Sequence, residues 1–219
     1  VTDGRRRCAA LRKILLPLAI LFLAAPASAQ SRFELGAGLT WTGGFDAGGQ
    51  DALLTRDPAS GSAPLVLFDT SSRVNAAPGA GISLGFYVTP HFAVEAVAEY
   101  SRPVLRTTIS SDFEGATGTT ADSRLTSLVV GGSARFHFGA ARLAPFVFAG
   151  AGWTRQLNDD NVMLVTGLEL HGGGGLTYRL DRHFGLRAQA GVSAREKSIA
   201  FVDKRRALPA ASGSLLYRF

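Results

Sequence analysis

From Phe184 to Arg195 the chain alternates without a break. Phe184, Leu186, Ala188, Ala190, Val192 and Ala194 fall on one side; Gly185, Arg187, Gln189, Gly191, Ser193 and Arg195 fall on the other. Successive side chains of a strand point to opposite faces, so a period of two predicts a strand between an apolar and a polar environment. A helix would spread the same residues around its whole circumference. The pattern recurs over residues 32–42, 79–88, 92–101, 126–138, 166–180 and 211–219. One further segment, 144–155, is ambiguous, because either Val147, Ala149, Ala151 and Trp153 or Phe146 and Phe148 could form the apolar face. The first choice is favoured, since it keeps Gly150 and Gly152 with the inward glycines of the other strands. Eight strands of about ten residues result, the length a tilted strand needs to cross a bilayer.

The connections separate a membrane barrel from a soluble sandwich. Long ones at 43–76, 106–123, 156–163 and 196–208 alternate with short ones at 89–91, 139–142 and 181–183. Long loops at one end, tight turns at the other and an even strand count are the pattern of outer-membrane barrels. Aromatic residues agree. Phe33, Phe86, Phe92, Phe136, Phe138, Tyr178, Phe184, Tyr217 and Phe219 lie near the short turns; Trp41, Tyr100 and Trp153 lie at the opposite strand ends. Two girdles around a Leu/Ala/Val band match the two interfaces of a membrane.

The N-terminal region carries an export pattern. Arg5, Arg6, Arg7, Arg12 and Lys13 precede the apolar run Ile14–Ala25, and Ala27 and Ala29 supply small residues at −3 and −1. Residues 1–29 are therefore expected to be a cleavable signal peptide, with 30–219 as the barrel domain. The five basic residues and Asp3 give the leader a charge of +4, which leaves +2 of the formal +6 for the rest. The basic balance is thus no argument for nucleic acid, and no nucleic-acid partner is expected. Cys8 lies in the leader, so no disulfide is expected after cleavage.

The final residues Leu215, Tyr217 and Phe219, apolar at two-residue spacing and ending in an aromatic, are similar to the terminal signature of bacterial outer-membrane barrels. With the Gly-Ala-Gly fragments at 36–38, 79–81 and 150–152 and the Val88-Thr89-Pro90 turn, residues 31–219 resemble the eight-stranded barrel superfamily. That superfamily includes opacity-like proteins and the membrane domain of outer membrane protein A. The resemblance implies an all-β, antiparallel, up-and-down transmembrane barrel in the outer membrane. It also implies that the barrel-assembly machinery reads Leu215, Tyr217 and Phe219.

The inward phase is charged. Glu34, Glu95, Glu99 and Glu169 share it with Arg135, Arg179, Arg187, Arg195 and Arg218. Unpaired buried charges are costly, so these nine are expected to pair and plug the lumen. Short turns fix partners. If Leu180 faces Phe184, Thr177 meets Arg187 and Glu169 meets Arg195. If Val88 faces Phe92, Gly85 meets Glu95 and Gly81 meets Glu99, each glycine sparing room for a carboxylate. Arg135 is expected level with Glu95.

Other motifs exclude more than they assign. The Gly-x-Gly pairs open no helix and precede no Gly-Lys, so no nucleotide or other cofactor is expected. His91, His137, His171 and His183 lack the spacing of a strand metal site, and no metal is expected. No His-x-Ser occurs, and Asp122-Ser123 has no histidine in the first long loop to activate it, so no enzyme activity is expected. A structural or surface-interaction role through the long loops leads. A narrow channel for small solutes is the alternative, and a lipid-modifying enzyme the second. Lys197, Lys204, Arg205 and Arg206 in the last long loop are candidates for contact with lipopolysaccharide phosphates, and the chain is expected to be monomeric.

Overall fold

The computed structural model describes residues 32–54, 65–112, 118–139, 141–158, 163–196 and 206–219. In chain order the strands are β1 (Phe33–Thr42), β2 (Phe45–Gly48), β3 (Asp51–Leu54), β4 (Leu65–Val74), β5 (Ala77–Tyr87) and β6 (Phe92–Ser101). Then follow β7 (Val104–Asp112), β8 (Thr120–His137), β9 (Leu143–Asn158), β10 (Met163–Arg179), β11 (Phe184–Arg195) and β12 (Arg206–Arg218). Every pairing is antiparallel. β1, β5, β6, β8, β9, β10, β11 and β12 pair in that order, and β12 returns to β1 from Glu34–Arg218 to Thr42–Ala210, closing an eight-stranded barrel.

Alternation decides which way each side chain turns. Leu35, Leu39, Ile82, Leu84, Val130, Val147, Leu170, Leu186, Val192 and Leu215 are exposed on the outer wall. A water-soluble monomer rarely presents a continuous apolar surface of this extent. On β9, Val147, Ala149, Ala151 and Trp153 face out while Phe146 is buried, so the ambiguous strand takes the favoured facing. The tight turns hold as reverse connections, with Val88 N–H donating to Phe92 C=O and Leu180 N–H to Phe184 C=O. They set the registers Gly85–Glu95, Gly81–Glu99, Thr177–Arg187 and Glu169–Arg195.

Beyond the barrel the fold differs from the sequence expectation. Residues 43–76 and 106–123, read as loops, contain β2, β3, β4, most of β7 and the start of β8. These form a raised sheet in the order β2–β4–β7–β8, with β3 also on β4. The ladders run through the breaks. Thr42–Ala77 continues as Phe45–Val74, and Ser101–Ser127 continues as Val104–Arg124. Pro103 interrupts one strand because it has no N–H to give to the ladder. At Gly44 a Cβ would stand 2.6 Å from the Val74 carbonyl oxygen, so only glycine lets the two backbones approach. The polar run Asp69-Thr70-Ser71-Ser72-Arg73 inside β4 conceals the strand, since both faces there read as hydrophilic.

Candidate functional site

The inner wall gathers charge at the end with the short turns. β1 brings Glu34, β5 Tyr87, β6 Glu95, β8 Arg135, β11 Arg187 and β12 Arg218. Glu34 accepts from Arg135 Nη1 at 3.3 Å, Arg218 Nε at 2.9 Å, the Tyr87 hydroxyl at 3.0 Å and Arg187 Nη2. Glu95 Oε2 accepts from Arg135 Nη2 at 2.7 Å and Arg187 Nη1 at 2.6 Å. Two carboxylates are therefore bridged twice by two guanidiniums, and Arg218 flanks the ring. Arg135 is only 1 % exposed, and its guanidinium lies 5.6 Å above the Phe146 ring. Short charge-assisted bonds of this kind offset the desolvation that each ion pays on burial.

Arg135 reaches Glu95 on a diagonal. The register sets Arg135 opposite Ala93, and Ser133 opposite Glu95, so the expected level pairing is displaced by two residues. No tight turn joins β6 to β8, and the long connection left that register open to the sequence. Gly85 also spares a different group than expected: a Cβ there would stand 3.4 Å from Arg135 Nη2.

A second cluster stands nearer the loop end. Glu169 accepts from Ser193 Oγ at 2.6 Å, Arg195 Nε at 2.8 Å and Thr154 Oγ1. Between the clusters lies a cavity of about 60 Å³ whose lining includes Thr40, Glu99, Ser133, His171, Gln189 and Ser212. A second of about 40 Å³ adjoins Glu95, Glu99 and Arg187. Spaces of that size hold a few waters and no larger solute. Glu99 faces both, and none of the ion pairs of Arg135, Arg187, Arg195 or Arg218 reaches it. Arg179 ends β10 at the turn end, half-buried and opposite Gly185.

Nearer the loop end the interior carries hydrocarbon. Phe45, Ala47, Val74, Leu125 and Leu208 form a buried cluster with Leu105 against it. These residues were invisible to the sequence reading as a group, because most lie in stretches taken for loops.

The remaining candidates sit elsewhere. Leu215, Tyr217 and Phe219 face outward, and Tyr217 meets Phe184 and Phe219 edge-on at 5.3 and 5.1 Å. Ala27, Ala29, Lys197, Lys204 and Arg205 lie outside the described residues; Arg206 opens β12 opposite Arg195. His137 packs between Tyr87 and Phe146, and His91 Nδ1 lies 3.1 Å from the His137 carbonyl oxygen. Among the described residues no group of three His, Cys, Asp or Glu is placed to hold a metal ion. Asp122 is engaged by Arg106, Nε to Oδ1 and Nη2 to Oδ2, both at 2.9 Å. Those hydrogen bonds hold its carboxyl below the usual range.

Comparisons with known proteins bear on this geometry. The profile of the outer membrane protein β-barrel domain matches residues 14–214. Among solved structures, OprG of Pseudomonas aeruginosa is similar with a TM-score of 0.53 at 13% identity, covering 87% of this chain and 96% of its own. Neisserial surface protein A gives 0.49 at 14% identity, with 85% and 97% covered. The N-terminal barrel of OprF from Pseudomonas aeruginosa gives 0.42 at 18% identity, with 87% and 98% covered. No curated protein sequence matches.

Proposed function

The chain belongs to the outer membrane protein β-barrel domain family, and from that premise we propose a plugged membrane scaffold that meets its partners through the loop end. Its place is the outer membrane, as for the barrels it resembles. The observation that carries the reading is the ring of Glu34, Glu95, Arg135 and Arg187 across the bore. A solute moving through would have to part buried ion pairs, and parting one costs about 3–5 kcal/mol. The apolar cluster around Phe45 and Leu125 sets a second barrier of a different kind.

The contact surface in this reading is the raised sheet. Leu53, Val66 and Phe68 are exposed on β3 and β4 at its tip, where water-facing strands usually carry polar groups. The reading includes no catalytic step and a monomeric barrel. Leu215, Tyr217 and Phe219 are assigned to recognition by the assembly machinery, and lipopolysaccharide to the surrounding leaflet.

Planar-bilayer recording of the refolded protein tests the plug. The expected trace is flat or shows only rare, small openings, more frequent when Arg135 or Arg187 of the ring is changed to Ala. A large, stable open state of the unaltered chain would make the small-solute channel the better reading.

A further inference from the structure

Among the described residues just beyond the girdle, the exposed arginines Arg102, Arg124 and Arg155 gather on one flank, while Glu196 is exposed at the end of β11. On β8 and β9 the register sets Trp153 opposite Val130, and Arg155 opposite Leu128, which also faces Tyr100. Arg155 thus stands at the level of Tyr100, one outward position beyond Trp153. Two residues farther along β8 is Thr126, opposite Leu157, and two farther again is Arg124, opposite Val104. Arg124 and Arg155 are both exposed, and Trp153 beside them is 63 % exposed on the apolar wall. At about 3.3 Å per residue, Arg124 lies roughly 13 Å along the strand from Leu128. Both guanidiniums can therefore reach one plane just outside the aromatic level.

The neighbouring outward positions hold no acid. They are Tyr100, Arg102, Val104, Thr126, Leu128, Leu157 and Thr166. The nearest carboxylate on this face, Asp122, is held by Arg106 at 2.9 Å. Across the barrel, the outward positions near the loop end of β1, β11 and β12 carry Trp41, Val192, Ala194, Pro209 and Ala211, with Glu196 exposed where β11 ends. A guanidinium at the aromatic level sits where the headgroup phosphates of a leaflet lie, and its planar fork binds phosphate in two places.

We propose that Arg124 and Arg155, with the Thr126 hydroxyl between them, bind a phosphate of the lipopolysaccharide in the leaflet at the loop end. The site lies on β8 and β9 and is separate from the last long loop. It rests on the loop end facing outward, and not on the lumen being plugged.

The test reconstitutes the full barrel in phosphatidylcholine vesicles, alone, with lipid A, or with dephosphorylated lipid A. The readouts are lipid retained after extraction and the temperature at which the heat-modifiable band shifts. Lipid A should raise that temperature and be retained; dephosphorylated lipid A should do neither. Each Arg→Gln change should weaken retention by about tenfold, while R73Q, which removes the same charge farther up the raised sheet, should leave it intact. Equal loss in R73Q would mean diffuse surface charge and would overturn the site, as would equal retention of the dephosphorylated lipid or by R124Q/R155Q. Should the double variant fail to assemble, R155K alone is decisive: it keeps the charge and loses the fork, and unchanged retention would sink the proposal. An open lumen in bilayer recordings would remove the plug and leave this result standing.

Discussion

The two ends of the barrel interior are packed with opposite chemistry. At the turn end five charged side chains and Tyr87 fill the bore; at the loop end Phe45, Val74, Leu125 and Leu208 fill it with hydrocarbon. The difference follows from how many strands surround each layer. Glu34 draws its donors from β5, β8, β11 and β12, which only a complete ring can supply. The raised sheet has β2, β4, β7 and the start of β8, and it cannot encircle an ion. Apolar groups need no directional partner, so they pack the end where the wall is incomplete.

The strongest way to break this contrast is at Glu34. Changing it to Ala leaves Arg135, Arg187 and Arg218 without their shared carboxylate and should cost about 3–5 kcal/mol in urea unfolding from lipid vesicles. A loss below about 1 kcal/mol would mean that water replaces the carboxylate freely and that the turn end is not dry. The apolar end should respond locally. Leu125→Ala should cost about 2–4 kcal/mol, read as faster hydrogen exchange in β4 and β7 with β10 and β11 unchanged. Equal acceleration in all four would show that the two ends unfold as one.

A third change probes the layer between. At Gly150 a Cβ would press on the Gly132 carbonyl oxygen and on His171 Nε2. Gly150→Ala should cost about 1–3 kcal/mol by overpacking, visible as a lower shift temperature of the heat-modifiable band. The smallest effect belongs to the turn itself. Asp181 Oδ1 accepts the His183 and Phe184 N–H groups, both at 2.7 Å, which holds its carboxyl below the usual range. Its contribution should be complete above the unfolded aspartate value near 4 and fade as pH falls through the lower folded value. The gap between the unaltered protein and Asp181→Ala should close across that window, while Asp181→Asn should show no such pH step.

What the sequence disclosed tracks where local rules apply. Alternation along 184–195 implies a strand, and tight turns at 89–91 and 181–183 determine the partner of every residue that follows, as in Glu169–Arg195. Inward phase alone also singles out Glu34 and Arg187. Their meeting across the bore is another matter, because it depends on barrel closure, which no local window contains. The diagonal from Arg135 to Glu95 was hidden because no tight turn joins β6 to β8 to fix their register. β4 escaped because its outward and inward residues are both largely polar, so a strand at the water-facing end lacks the contrast that marks one in the membrane wall.

The ionic ring also has a place in time. Glu34 lies on the first strand, and its partners follow 101, 153 and 184 residues later. Contacts so distant along the chain form late, since a long loop must close before they are rewarded. Until β12 meets β1, Arg187 on β11 stands far along the open sheet from both Glu34 and Glu95, and Glu34 has no Arg218 beside it. The seam and the ring therefore complete together, and the charges act as a latch that favours a barrel with every strand in place over one that stops short.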